Sequence, residues 1–242
     1  MIALQPLSLG GQPVLHAFPA GNAEGPLPCV VFYHGFTSSS LVYSYFAVAL
    51  AQAGFRVVMP DAPDHGERFS GDAQARLLRF WHILQQSQDE FTSLRDALLA
   101  QGWIDEGRLA VAGASMGGMT ALGVMARHPE VRCVASLMGS GYFSDLSRTL
   151  FPPSAEEQKA VQRRLSEGEP SRQLAQLANR PLLLWHGEED DVVPAAESFR
   201  LQQALQQAGL DANLTCEWQV GVRHRITPEA LGCAVDFLRQ HL

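Results

Sequence analysis

The sequence holds no run of basic residues, no cysteines at metal-ligand spacing and no long apolar stretch, and each absence removes a class of protein. Lys and Arg number 18 against 25 Asp and Glu, a net charge of −7 that leaves nothing to track a phosphate backbone or an anionic bilayer. Nucleic acid and membrane are therefore excluded as expected partners. Cys29, Cys133, Cys216 and Cys233 lie far apart, three of them in apolar strand-like runs where a reduced thiol acts as a small hydrophobe. Neither a zinc site nor a disulfide framework is readable from them. No window reaches the roughly eighteen apolar residues of a membrane span. The first 23 residues carry no charge, lack the basic start of an export signal, and are broken by Pro6, Gly10, Gly11 and Pro13. They read instead as a hairpin, Ile2 to Leu9 and Pro13 to Phe18, around Gly10-Gly11. Reduced thiols and no export signal together imply a cytoplasmic protein.

What is present is a chain of 242 residues, 46% apolar, enough for one large core, so a single domain over 1–242 is expected. Apolar runs at Leu27–Tyr33, Phe55–Met59, Arg108–Gly113, Val131–Leu137, Pro181–Trp185 and Asn213–Val220 read as strands. Between them lie helical patterns: Ser40–Ala53, with Leu41, Tyr45, Val48 and Ala49 at helical spacing; Asp72–Gln101, as one helix or two joined; Gly118–Arg127; Ala195–Ala208; and Thr227–His241. Such alternation implies an α/β fold, an eight-stranded and mostly parallel sheet with helices on both faces. The stretch 142–180 breaks the rhythm with short amphipathic segments near Glu156–Leu165 and Arg172–Ala178, and reads as a small helical cap inserted after the sixth strand. No repeat or low-complexity segment appears.

Chemistry concentrates where the strands end. Gly113-Ala-Ser115-Met-Gly117 places a serine between two glycines at a strand-to-helix turn, the pattern of a nucleophile elbow. Two later strands run into His186-Gly-Glu-Glu-Asp190-Asp191-Val-Val-Pro194 and Gly221-Val-Arg-His224. Ser, acid and His thus arise in that order from three strand ends. A serine hydroxyl is a weak nucleophile at neutral pH and needs a base, and the base needs an acid to orient it. Ser115 as nucleophile, His224 as general base and acid, and Asp190 or its neighbour Asp191 as orienting acid satisfy that requirement. The backbone N–H of Met116, directly after the nucleophile, is one expected oxyanion donor.

These motifs, with His34-Gly35-Phe36 after an early strand and Asp61 to Gly66 after the next, resemble the α/β-hydrolases. Within them the chain is similar to small bacterial serine carboxylesterases of the group that includes dienelactone hydrolases and prolyl oligopeptidase catalytic domains. The resemblance implies Asp190 as the triad acid, three residues after Gly187, and the N–H of Phe36 as the second oxyanion donor. Dienelactone hydrolases proper are expected to use cysteine, so Ser115 argues against that activity. His34 reads as a brace for its loop. Asp61, Asp64 and His65 lack a fourth ligand and a recognisable spacing, so no metal is expected, nor any cofactor. Tyr142, Phe143 and Phe151 are candidates for the substrate pocket. The expected reaction is hydrolysis of a small-molecule carboxylic ester by a monomer or small homo-oligomer. Peptidase or thioesterase action on the same triad is the alternative, and a non-catalytic binding protein of the same fold a remoter one.

Overall fold

A computed structural model describes all residues, 1–242. Its centre is an eight-stranded sheet: β1 (Ile2–Leu9), β2 (Gln12–Pro19), β3 (Leu27–Tyr33), β4 (Arg56–Pro60), β5 (Ile104–Ala114), β6 (Cys133–Leu137), β7 (Leu182–Gly187) and β8 (Leu214–Gln219). The strands lie in the order β1-β2-β4-β3-β5-β6-β7-β8. Only the two pairings made by β2 are antiparallel, with β1 in a hairpin and with β4. Gly10 and Gly11, with φ of 60° and 79°, make the hairpin turn, a backbone region that costs glycine nothing.

Nine helices fill the connections: α1 (Ser44–Gln52), α2 (Ala73–Leu78), α3 (Phe80–Ala100), α4 (Met116–Arg127), α5 (Phe143–Leu146), α6 (Gln158–Glu167), α7 (Leu174–Ala178), α8 (Ala196–Gln207) and α9 (Pro228–His241). The α2–α3 stretch is two helices joined at Arg79, and Asp72 caps the first by accepting from Gln74 N and Ala75 N. Thr227 caps α9 by accepting from Ala230 N, with Pro228 in the first turn. No helix is long and apolar enough to cross a membrane.

Alternation along the central strands divides the core. Val30 and Phe32 of β3 face one side with α1 and α9, whereas Cys29, Val31 and Tyr33 face the other with α3, α4 and α8. A third cluster lies around Met116 and Met119. There Phe80, Trp81, Ile83 and Leu84 of α3 pack with Phe143 and Leu146 of α5 and Val161 and Leu165 of α6. Trp81 Nε1 donates to Leu150 O at 3.1 Å, so the chain between β6 and β7 is seated on the start of α3.

Two local readings change. The first helix begins at Ser44, after a turn, so Leu41 never joins it and is 68% exposed. Its buried face is Phe46, Ala47, Leu50 and Ala51, and Tyr45, Val48 and Ala49 lie off it. The elbow helix begins at Met116, directly after the serine. The core assignment has a measurable consequence. Phe32 is fully buried and stacks on Phe46 with centroids 4.1 Å apart, so Phe32→Ala is expected to remove about 3–5 kcal/mol of unfolding free energy. Leu41→Ala should change it by less than about 0.5 kcal/mol, both read by urea denaturation.

Candidate active site

The turn from β5 into α4 holds Ser115 at φ 58°, ψ −120°, a conformation that L side chains rarely adopt. Its amide donates to Leu137 O at 2.8 Å, and its carbonyl accepts from Met119 N at 3.0 Å. The flanking glycines are required by space. A Cβ on Gly117 would overlap the Tyr33 carbonyl, and one on Gly113 the Gly117 carbonyl. The result lifts the Ser115 side chain above the carboxyl ends of β3, β5 and β6.

Loops from two distant strands meet it there. His224, in the loop after β8, lies with Nε2 2.9 Å from Ser115 Oγ and Nδ1 2.7 Å from Asp190 Oδ2. Asp190 follows β7, and its side chain is fully buried, whereas that of His224 is 19% exposed. Asp190 Oδ1 accepts from Val192 N and Val193 N, both at 2.9 Å. Burial pushes its carboxyl upward, but the nearby His186 ring and the hydrogen bonds from His224 and Val192 outweigh burial and hold it well below the usual carboxylate range. The neighbouring Asp191 is turned outward and pairs with Arg223. A carboxylate on Nδ1 assigns the neutral ring its proton there, leaving Nε2 as acceptor for the serine hydroxyl.

Two backbone N–H groups near this cluster have no partner. Neither Phe36 N nor Met116 N donates to any acceptor in the protein. Met116 is the first residue of α4, where helix geometry leaves amides unpaired. The loop carrying Phe36 runs against the serine, since a Cβ on Gly35 would sit 3.6 Å from Ser115 Cβ.

The loop itself is held by the segment after β4. His34 Nδ1–H donates to Gly35 O at 2.8 Å, and its Nε2 accepts from Ala62 N at 3.0 Å. His65 Nε2 accepts from Thr37 N at 2.9 Å, and Asp61 accepts from Ser40 N at 2.8 Å and Glu67 N at 3.0 Å. Asp64 accepts from Ser70 N at 2.9 Å and faces Arg79 at 3.6 Å. These side chains are occupied with backbone, and no three His, Cys, Asp or Glu groups gather where they could hold a metal ion.

The three pocket candidates separate. Phe151 reaches the site, its ring 5.0 Å from that of Phe36 and 4.9 Å from Phe80. Phe143 is sealed at 1% exposure in the cluster that contains Met116, so it supports the elbow from behind. Tyr142 is turned toward α8, with Arg200 over its ring at 3.7 Å and its hydroxyl donating to Arg200 O at 3.3 Å. Side chains that the sequence reading passed over are Phe80, His186 and Arg76, whose guanidinium lies 5.8 Å from the Phe36 ring. Of these only His186 carried a signal, its place in the His-Gly motif at the end of a strand.

A mostly parallel eight-stranded sheet, with a half-buried serine on a strained strand-to-helix turn, defines an enzyme of the α/β-hydrolase fold. Residues 42–231 match the prolyl oligopeptidase family, and the chain belongs to that family. It is 64% identical over 249 residues to Esterase YjfP of Escherichia coli (strain K12), covering 100% of both chains. Putative esterase YitV of Bacillus subtilis (strain 168) is 35% identical over 216 residues, 85% of each chain. In fold, the crystal structure of TT1662 from Thermus thermophilus superposes with a TM-score of 0.82 at 23% identity, over 99% of this chain and 98% of that one.

The loop geometry makes stability depend on acid. Burial lowers His34 to about 4, opposed by its bond to Gly35 and reinforced by His65 nearby. Burial, then Arg56, lowers His16 to about 4. Both rings stay neutral in the fold, while the unfolded chain takes up protons near pH 6.5. Their contribution is therefore complete above about 6.5 and is lost as pH falls toward 4, by at most about 1.4 kcal/mol per pH unit for each ring. Urea midpoints should fall between pH 7 and 4.5, and His34→Gln should flatten that slope.

Proposed function

We propose that the protein is a serine carboxylesterase that hydrolyses carboxylic esters of small to medium size through an acyl-enzyme on Ser115. The observation that carries this reading is the line Ser115 Oγ, His224 Nε2, His224 Nδ1, Asp190 Oδ2, with contacts of 2.9 and 2.7 Å, beside two unpaired N–H groups. The relatives named as an esterase and a putative esterase, matched over 100% and 85% of their lengths, point to esters rather than peptides as substrates.

The steps follow from the geometry. Ser115 Oγ attacks the ester carbonyl carbon while His224 Nε2 takes its proton. Negative charge then develops on the carbonyl oxygen, and Phe36 N–H and Met116 N–H are its donors, each of a kind worth about 2.7–4 kcal/mol when well aimed. Asp190, ionised and buried, stabilises the imidazolium. Collapse expels the alcohol, which receives the proton from His224, and leaves the acyl group on Ser115. Water, deprotonated by the same histidine, releases the acid and restores the serine. Phe36 and Phe151, backed by the buried Phe80, form an aromatic wall beside the oxyanion loop and would bound one group of the ester, with the 142–180 segment acting as a small cap.

A fluorophosphonate should label Ser115 stoichiometrically and abolish p-nitrophenyl ester hydrolysis. Ser115→Ala should lose labelling and lower kcat by about 10⁴-fold or more while remaining folded. A folded Ser115→Ala protein with ordinary esterase activity would refute the proposal.

A further inference from the structure

His186 is fully buried near the end of β7, and the reaction just described gives it no task. Its ring nevertheless meets the triad acid. Nε2 lies 2.9 Å from Val193 O and 3.2 Å from Asp190 Oδ2, while Nδ1 lies 2.8 Å from Ser198 Oγ on α8. Carbonyl and carboxylate oxygens only accept, so the ring hydrogen sits on Nε2. Nδ1 then accepts the Ser198 hydroxyl hydrogen, because the other acceptor near that hydroxyl, Gly139 O, is farther away at 3.3 Å.

Asp190 is thereby surrounded. Its Oδ1 takes two backbone N–H groups, and its Oδ2 accepts the Nδ1–H of His224, with His186 Nε2 also 3.2 Å away. We propose that His186 is a positioning residue of the triad, its Nε2–H holding the Val193 carbonyl and with it the turn whose amides bind the Asp190 carboxylate, while its ring packs 3.2 Å from the oxygen that His224 uses. The proposal rests on the serine-esterase reading above. Its physical content is that a carboxylate deprived of one donor becomes more basic. It then binds the His224 proton more tightly, and the base is blocked over a wider acid range.

No other charged group competes for this role. On the loop after β7, Glu188 and Glu189 are exposed and Asp191 pairs with Arg223. On α8, Glu197 accepts from Ser140. In the loop after β8, Arg223 and Arg225 are exposed, and neither has a polar contact with the His186 ring.

Two substitutions separate positioning from packing. His186→Met fills similar space without a donor, whereas the amide of His186→Gln can still donate to the Val193 carbonyl. With active serines counted by fluorophosphonate, kcat/KM is measured against pH. For His186→Met the acid limb should move up by about half a pH unit, and kcat/KM at pH 7 should fall about tenfold. His186→Gln should keep the limb of the unsubstituted enzyme. An unmoved limb in His186→Met, or identical profiles for the two variants, overturns the proposal. Should His186→Met not fold, nitrogen-15 histidine spectra of the unsubstituted protein decide. The signal absent from His186→Gln should show Nε2–H with Nδ1 bare, and an Nδ1–H ring overturns the proposal. Failure of fluorophosphonate to label the unsubstituted enzyme would instead overturn the esterase reading.

Discussion

The close passage of backbone at the β5–α4 turn is the constraint on which the other features depend. Gly113 and Gly117 let the turn run against the Tyr33 carbonyl at the end of β3, and that closeness sets Ser115 in its unusual conformation. Strain of this kind costs on the order of 1–3 kcal/mol and persists only where surroundings enforce it. Here they do: parallel pairing of β5 with β3 and β6 fixes the strand, and the Ser115 amide is anchored on Leu137 O. The same turn frees the Met116 N–H and presents it to the loop carrying Phe36. One packing requirement therefore sets both the serine proposed as nucleophile and an unpaired N–H next to it in the chain.

Around that turn the protein commits most of its buried polar side chains to backbone groups of the neighbouring loops. The loop after β4 spends Asp61 and His65 on the amides of Ser40, Glu67 and Thr37, and His34 receives Ala62 N–H, which makes the Phe36 loop rigid. The acid turn after β7 does the same with Val192 N, Val193 N and His186 around Asp190. Groups held this way need little reorganisation when charge appears, the condition under which fixed dipoles act most strongly.

Much of this was legible in the sequence, for identifiable reasons. Parallel strands buried on both faces leave continuous apolar runs, so β3, β6 and β7 stand out, and the Gly10-Gly11 hairpin announces itself by composition. The serine, acid and histidine stand in α/β-hydrolase order at strand ends, so the fold carries their proximity. Choosing Asp190 over Asp191 by residues alone was not possible, because adjacent side chains in a turn diverge according to which amides capture them, here Val192 and Val193. Aromatic side chains between β6 and β7 were illegible for a related reason. Tyr142, Phe143 and Phe151 look alike in sequence, but Arg200 draws off the first, a buried cluster seals the second, and only the third meets Phe36. Leu41 misled because helical spacing continued through a turn, and His186 was hidden because its partners lie on the following turn and on α8.

The central claim, that these loops make Ser115 a nucleophile which carries the acyl group, is tested most directly by rapid quenching with a p-nitrophenyl ester followed by peptide mass spectrometry. The account predicts a burst of nitrophenol and an acyl adduct on the peptide containing Ser115, with both lost in His224→Ala. Steady turnover with no burst and no adduct on that peptide, at times when an acyl-enzyme would be populated, would contradict it.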